Sequence, residues 1–173
     1  MNDVAKQNIM KGYVMLRKGD SMSRESLFSK LEHVGVVVRD IDKAIAYYRS
    51  IGVSQFKSCE LRYSVRELWG RPLASDVITT KMSMAEVGPV GIELVQPIAT
   101  GTHWTEYLET KGEGIQHLGF FVDDIDEAEA ELATRGFKLV YRSRFTLPDG
   151  SAGGNAYVDT GQVGGFMIEV VHF

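Results

Sequence analysis

Two stretches of the chain are copies of each other, and this internal repeat constrains the fold more than any other feature. Residues 33–44 read HVGVVVRDIDKA and residues 117–128 read HLGFFVDDIDEA, so seven of twelve positions are identical. Further along, GIELV at 91–95 matches MIEVV at 167–171. A repeat of this length indicates one supersecondary unit that is used twice. Two units packed symmetrically would bring the histidine and the glutamate of each copy to a shared face.

The same order of elements can be read in both copies. A short β-branched run predicts a buried strand, and the aspartate that follows it predicts the start of a helix with apolar residues at helical spacing. In the first copy we predict strands at 33–38, 53–60, 77–85 and 90–96 and a helix from Asp40 to Gly52, with 61–76 unassigned except for a turn at 69–72. In the second copy we predict strands at 115–122, 137–143, 154–159 and 165–171 and a helix at 124–136.

These elements divide the chain into four parts. We predict an N-terminal extension at 1–30, a first βαβββ module at 31–98, a connecting helix within 99–113 and a second βαβββ module at 114–173. Four strands and one helix cannot cover both faces of a sheet. The two modules are therefore expected to pack together.

Bulk composition excludes several classes of protein. A net charge of −4 argues against nucleic acid or an anionic membrane as the main partner, and no apolar run reaches the ~20 residues that span a bilayer. Cys59 is the only cysteine, so an internal disulfide is impossible and thiolate-rich structural zinc is excluded. A reducing compartment fits, and we predict a cytoplasmic protein.

The matched histidines and glutamates are the candidate site. Glu93 and Glu169 each lie in the middle of an apolar strand, where an unpartnered buried carboxylate costs several kcal/mol. One such residue could face solvent. Two at matching positions, each accompanied by a histidine, need a common cause, and a divalent cation supplies it. We therefore predict that His33, Glu93, His117 and Glu169 hold Co²⁺, Mn²⁺, Ni²⁺, Fe²⁺ or Zn²⁺. The alternative is that they only hydrogen-bond across a solvated sheet face.

These motifs resemble the vicinal oxygen chelate superfamily, which includes glyoxalase I and methylmalonyl-CoA epimerase. The resemblance covers residues 31–173, and it implies an α+β fold in which two paired βαβββ modules form a cupped eight-stranded mixed sheet around a metal site. The segments 91–97, 104–109, 111–118 and 164–169 look most like methylmalonyl-CoA epimerase. The chain departs from the epimerases at Gln116, where they carry a second histidine, and at 158–160. It also offers no glutamate on the 77–85 strand as a second base.

The resemblance implies an epimerase that acts on a 2-substituted malonyl-CoA-type thioester, with Glu169 as a base and the second acid/base unassigned. The alternative is a glyoxalase I-like lactoylglutathione lyase or another metal-dependent lyase or isomerase, and a second alternative is a non-catalytic small-molecule-binding protein. The expected partner is an acyl-thioester or a 2-oxo substrate, and relatives suggest a homodimer. His103 and His172 have no counterpart in the other copy and are interpreted as structural or exposed. Arg142 and Arg144 are interpreted as a solvated strand edge, although they could meet phosphates.

Overall fold

The computed structural model describes residues 26–58, 61–74, 76–162 and 164–173. In chain order the elements are β1 (Leu31–Val37), α1 (Ile41–Ser50), β2 (Lys57–Ser58), β3 (Arg62–Leu68), β4 (Arg71–Pro72), β5 (Thr80–Val87), β6 (Val90–Pro97), α2 (His103–Lys111), β7 (Gly114–Phe121), α3 (Ile125–Thr134), β8 (Leu139–Thr146), β9 (Ala152–Val158) and β10 (Met167–His172). Most of the predicted N-terminal extension, residues 1–25, lies outside the described residues, as does Cys59.

The repeated aspartates start the two equivalent helices as predicted. Asp40 Oδ1 accepts a hydrogen bond from the backbone N–H of Lys43 at 3.1 Å, and Asp124 Oδ1 accepts from Glu127 N–H at 3.0 Å. Each side chain satisfies an N–H group that the first turn of a helix leaves without a partner. The helices end shortly before Gly52 and Gly136, whose φ angles of 104° and 84° suit glycine. The same short sequence therefore folds in the same way twice.

The two copies meet at the centre of one mixed sheet. The strand order is β2-β5-β6-β1-β7-β10-β9-β8-β3-β4, in which β1 and β7 are antiparallel and each is parallel to the last strand of its own copy. This arrangement relates the copies by an approximate two-fold axis between β1 and β7. The α+β class and the mixed sheet are as predicted.

The sheet has ten strands in the described residues where eight were predicted. The additional strands come from the unassigned segment 61–76, where β3 and β4 form a hairpin. Its turn is at Trp69 and Gly70, whose φ angles are 54° and 71°, as a two-residue turn between tightly paired strands requires. β3 pairs with β8 of the second copy. Its partner is therefore distant in sequence, and local pattern does not reveal such a pairing.

Chain connectivity forces the sheet to curl. β2 ends at Ser58 and β3 begins at Arg62, so a fully extended chain spans at most ~14 Å between them. In a flat sheet eight strand spacings would separate these two strands by ~38 Å. The sheet therefore bends into a cup, which confirms the cupped sheet that the resemblance implied.

Helices cover the outside and one end of this cup. Leu132 and Ala128 of α3 are fully buried against β9 and β10, and Ile41 of α1 packs against Leu94. Trp104 of α2 is 3% exposed and packs with aromatic side chains of β8 and β9. None of the helices in the described part of the chain is long and apolar enough to cross a membrane.

Candidate metal centre

The four predicted ligands come from the four central strands of the sheet. His33 lies on β1, His117 on β7, Glu93 on β6 and Glu169 on β10, and none of them is more than 8% exposed. The register across the sheet places glycine between them. Gly35 lies opposite both Glu93 and His117, and the equivalent Gly119 lies opposite both Glu169 and His33.

These two glycines explain why the repeated motif is His-x-Gly. A Cβ on Gly35 would lie 1.9 Å from Cε1 of His117, and a Cβ on Gly119 would lie 2.2 Å from Cε1 of His33. Each imidazole therefore occupies the volume of the missing side chain on the neighbouring strand. The glycine of one copy makes room for the histidine of the other.

The donor atoms converge on one point. All four residues offer an atom within 4.8 Å of the others. His33 Nε2 is 2.8 Å from Glu169 Oε2, His117 Nε2 is 3.2 Å from Glu93 Oε2, and the two Nε2 atoms are 3.1 Å apart. The structure thus brings together the residues that the sequence selected.

The other nitrogen of each imidazole faces a hydrogen-bond acceptor. His33 Nδ1 contacts the carboxylate of Glu32, and His117 Nδ1 lies 2.7 Å from Gln116 Oε1. Both partners hold the ring proton on Nδ1, so the lone pair of each Nε2 points into the cluster. Two lone pairs that face each other at 3.1 Å repel unless a positive charge lies between them.

The two carboxylates of the cluster also lack a positively charged partner. Asn155 Nδ2 donates to Glu169 Oε1 at 2.8 Å, and Ser143 Oγ in turn donates to Asn155 Oδ1 at 2.6 Å. Oε2 of Glu169 and Oε2 of Glu93 are both buried without a hydrogen bond. Such atoms are costly in a protein interior. A cation would satisfy both.

The pKa shifts within the cluster also indicate a need for positive charge there. Burial alone would lower the pKa of His33, yet the charge of Glu169, whose Oε2 lies 2.8 Å from Nε2, and the contact with the Glu32 carboxylate raise it well above its ordinary value. Burial would raise the pKa of Glu169, but the nearby charge of His33 holds it below its ordinary value. The cluster therefore requires positive charge, which either a proton on His33 or a cation provides.

The donor set fits a divalent transition metal. Two imidazole nitrogens and two carboxylate oxygens without sulfur are the ligands of Zn²⁺, Co²⁺, Ni²⁺, Mn²⁺ and Fe²⁺. The acceptors on both Nδ1 atoms and the amide on Glu169 provide the outer contacts that usually orient such ligands. That the four residues bind a metal remains a prediction.

A cavity of about 610 Å³ opens onto the cluster. Its volume is in the range of small-molecule sites. Its wall includes His33, Glu93 and Glu169 among the candidate ligands, with Asn155 beside them. The apolar part of the wall includes Met82, Met84, Phe121, Phe145, Leu147 and Phe173. A molecule that reaches the candidate ligands would lie largely among apolar side chains.

The remaining histidines lie outside the cluster. His103 is 1% exposed, stacks on Trp104 and Tyr157, and has no hydrogen bond to either ring nitrogen. Burial, with a smaller contribution from the charge of His117, lowers the pKa of His103 to about 3, so the ring is neutral. His172 Nδ1 lies 2.9 Å from the carbonyl oxygen of Val122.

Arg142 and Arg144 form an ion-pair network on the outside of β8. Glu129 of α3 accepts from Arg144 at 2.8 Å and from Arg142 at 3.2 Å, and Arg142 also pairs with Glu67. Their charges are thus compensated within the protein.

Sequence reasoning did not assign roles to Glu32 and Asn155, and it treated Gln116 only as a departure from the epimerases. Glu32 and Gln116 directly precede the two repeated histidines, and that shared position was an available signal. Asn155 lies on β9, whose sequence does not resemble that of the equivalent strand β5, where Met82 takes its place, so the repeat could not reveal it.

Comparison with known proteins identifies the family. Residues 32–154 match the model of the glyoxalase/bleomycin resistance protein/dioxygenase superfamily. The match spans most of the chain, so the protein belongs to this superfamily, as the sequence motifs had indicated.

Individual relatives are more distant. The chain is 23% identical over 144 residues to the uncharacterized protein YqjC of Bacillus subtilis, covering 82% of this chain and 91% of that protein. Methylmalonyl-CoA epimerase from Mycobacterium tuberculosis is 25% identical, with a TM-score of 0.58 over 87% of this chain and 92% of that one. A variant of the Streptomyces coelicolor methylmalonyl-CoA epimerase, in complex with 2-nitronate-propionyl-CoA, is 18% identical with a TM-score of 0.62 over 84% and 97% of the two chains.

Proposed function

We propose that the chain is a metal-dependent isomerase that epimerises a 2-substituted malonyl-CoA-type thioester. His33, Glu93, His117 and Glu169 are the proposed metal ligands, and Glu169 is also the proposed base. The observation that carries the proposal is the convergence of two imidazole lone pairs and two unpartnered carboxylate oxygens at a cavity wall.

Epimerisation requires that a weakly acidic C–H group of the substrate lose its proton. A carbon between a carboxylate and a thioester releases its proton only when the negative charge that develops on the oxygens is stabilised. A bound divalent ion would supply this stabilisation as a Lewis acid, worth several kcal/mol. Glu169 is held by Asn155 through Oε1, so Oε2, the oxygen that faces the cluster, would be the atom that leaves the ion and accepts the proton.

The cavity supports a substrate with an apolar arm. Methionine, leucine and phenylalanine side chains form much of its wall and would replace water around an apolar part of the substrate. The structural neighbours include an epimerase in complex with methylmalonyl-CoA, with a TM-score of 0.61. This similarity of fold is the reason for proposing a CoA thioester in preference to other carbonyl compounds.

A second candidate is a glyoxalase I-like lyase or a related one-base isomerase. On β5, Met84 is paired in register with Glu93 and Met82 lies on the same face, and neither can transfer a proton. Glu86 of β5 also lines the cavity, but it is exposed and lies farther along the strand, opposite Gly91. An epimerase must remove a proton from one face of a carbon and return it to the other. Proton movement between adjacent carbons on one face needs a single base, and the two methionines favour that alternative.

Deuterium incorporation tests the proposal. Purified protein loaded with Co²⁺ is incubated with methylmalonyl-CoA in D₂O, and deuterium at the α-carbon is followed by mass spectrometry. We expect wash-in with the wild type and at least a 100-fold slower rate with Glu169→Gln. Glu109→Gln, which removes an exposed carboxylate of α2 outside the cavity, should exchange within threefold of the wild-type rate.

Each other outcome selects a rival function. Absence of wash-in by metal-loaded protein rejects the epimerase, and turnover of the glutathione hemithioacetal of methylglyoxal would then support the lyase. Protein that binds these compounds without turnover would be a binding protein of the same fold.

A further inference from the structure

Arg66 of β3 is a buried cation for which the described residues provide no counter-charge. Its side chain is 4% exposed. The guanidinium donates to Tyr141 Oη at 3.1 Å, to the carbonyl oxygens of Ala74 and Val77 at 3.3 and 2.6 Å, and to Thr79 Oγ1 at 2.6 Å. All four acceptors are neutral.

This distinguishes Arg66 from the other arginines of the same sheet region. Arg142 and Arg144 each contact carboxylates within 3.2 Å, whereas no carboxylate of the described residues is within 4.0 Å of Arg66. A buried charge without a partner of opposite sign costs several kcal/mol. Four bonds use four of the five guanidinium N–H groups, so one N–H remains for a further acceptor.

Arg66 also lines a second cavity of about 420 Å³. Arg62, Thr79 and Thr80 line the same space, together with the exposed carboxylate of Asp76. The charge of Arg62 offsets that of Asp76, so the lining as a whole keeps a net positive charge. A cavity of this kind suits an anionic group.

The second cavity adjoins the one at the candidate metal centre. Leu61 and Met82 line both cavities. Arg66 is paired in register with Ser143, and Ser143 with Asn155, the residue that holds Glu169. Cross-strand partners share one face of a sheet, so Arg66 lies on the same inner face as Glu169, three strand spacings away, which is ~14 Å measured across the strands.

We propose that the cavity lined by Arg66 binds an anionic group at the far end of the substrate whose reacting end lies at Glu169. This inference rests on the proposed function for its reacting end. A carboxylate and a phosphate share the required chemistry. A phosphate is expected if the substrate is a CoA thioester, and a carboxylate if it is a glutathione adduct.

Calorimetric titration of the purified full-length chain with inorganic phosphate and, separately, with succinate tests the proposal. We expect saturable binding of one of the two anions. Arg66→Gln should weaken this binding at least tenfold, Arg66→Lys should keep it within threefold, and Arg71→Gln should match the wild type. Arg71 is the control because it is an exposed arginine of the adjacent hairpin outside the cavity.

Several results would overturn the proposal. The first is that the wild type binds neither anion saturably. The second is that the wild type and Arg66→Gln bind an anion equally tightly. In the second case Arg66 only holds the segment that contains Ala74, Val77 and Thr79, and its loss would lower thermal stability alone. If Arg66→Gln does not fold, the electron density of wild-type crystals soaked in phosphate or succinate provides the test. Density within hydrogen-bond distance of the guanidinium supports the proposal, and its absence there rejects it.

The test is independent of the catalytic proposal. Anion binding that depends on Arg66 in a chain without deuterium exchange would reject the epimerase and keep the subsite. Deuterium exchange without anion binding would support the epimerase and reject the subsite.

Discussion

Substitution of Gly35 by alanine is expected to damage the metal centre through a residue that contributes no ligand. The added Cβ would lie 1.9, 2.1 and 2.3 Å from Cε1, Nε2 and Nδ1 of His117. Carbon atoms in ordinary contact are ~3.5 Å apart, so the ring must retreat by about 1.5 Å. Ligand atoms tolerate displacements of only ~0.2 Å, and His117 would therefore no longer reach the ion.

The expected loss can be estimated from this displacement. Removal of an outer contact alone typically costs 10- to 100-fold in metal affinity, so loss of a ligand should cost at least ~100-fold. That factor corresponds to about 2.7 kcal/mol. Overpacking of the interior should also destabilise the chain by ~1–3 kcal/mol, or several degrees in melting temperature.

Co²⁺ titration followed by visible absorption measures the affinity, and circular dichroism confirms that the variant is folded. Gly114→Ala is the matched control, because its Cβ would meet only the Tyr107 hydroxyl at 3.3 Å and it lies on β7, the strand of His117. Affinity within threefold of the wild type is expected for this control. A folded Gly35→Ala chain that binds Co²⁺ as tightly as the wild type would refute the reasoning.

Three further predictions concern pH, ligand orientation and the outer ion pairs. Burial lowers the pKa of His103 to about 3 in the folded chain. As the pH falls below about 6.5, the unfolded chain therefore binds a proton at this histidine and the folded chain does not, which lowers the stability. The metal-free wild type should thus lose about 2 kcal/mol more stability between pH 7 and pH 5 than His103→Phe in urea unfolding, and equal losses would contradict a neutral buried ring. Asn155→Ala removes the hydrogen bond to Glu169 Oε1 and should weaken Co²⁺ binding 10- to 100-fold, whereas unchanged binding would show that this contact does not orient the ligand. Glu129→Gln should lower the free energy of unfolding, measured in urea, by about 2 kcal/mol, because Arg142 and Arg144 lose a carboxylate partner. Unchanged stability would mean that solvent replaces this ion pair without cost.

The repeat made the central part of the fold predictable. Two copies of one motif determine equivalent strands and equally capped helices, and the centre of the sheet follows from their symmetry. The pairing of β3 with β8 was not predictable in this way, because the partners are about 80 residues apart and have no equivalent in the other copy. Of the predicted strand at 53–60, the described residues 53–58 form a strand at Lys57–Ser58, which pairs with β5 at the edge of the sheet.

The candidate site was also predictable from the sequence only in part. The four donors were identifiable because a carboxylate in an apolar strand is conspicuous and the repeat doubled the signal. The steric role of Gly35 and Gly119 and the hydrogen bond from Asn155 depend on which residues lie opposite one another. That information comes from the register of the sheet, which a single sequence does not contain.

The central claim is that four side chains, two from each copy, bind one divalent ion. Metal-free protein titrated with Co²⁺ should bind one equivalent per chain, with visible absorption bands typical of nitrogen and oxygen ligands. His33→Ala, Glu93→Ala, His117→Ala and Glu169→Ala should each weaken binding at least ~100-fold, because each removes one ligand. Absence of stoichiometric binding by the folded wild type, or binding that survives all four substitutions, would contradict the account.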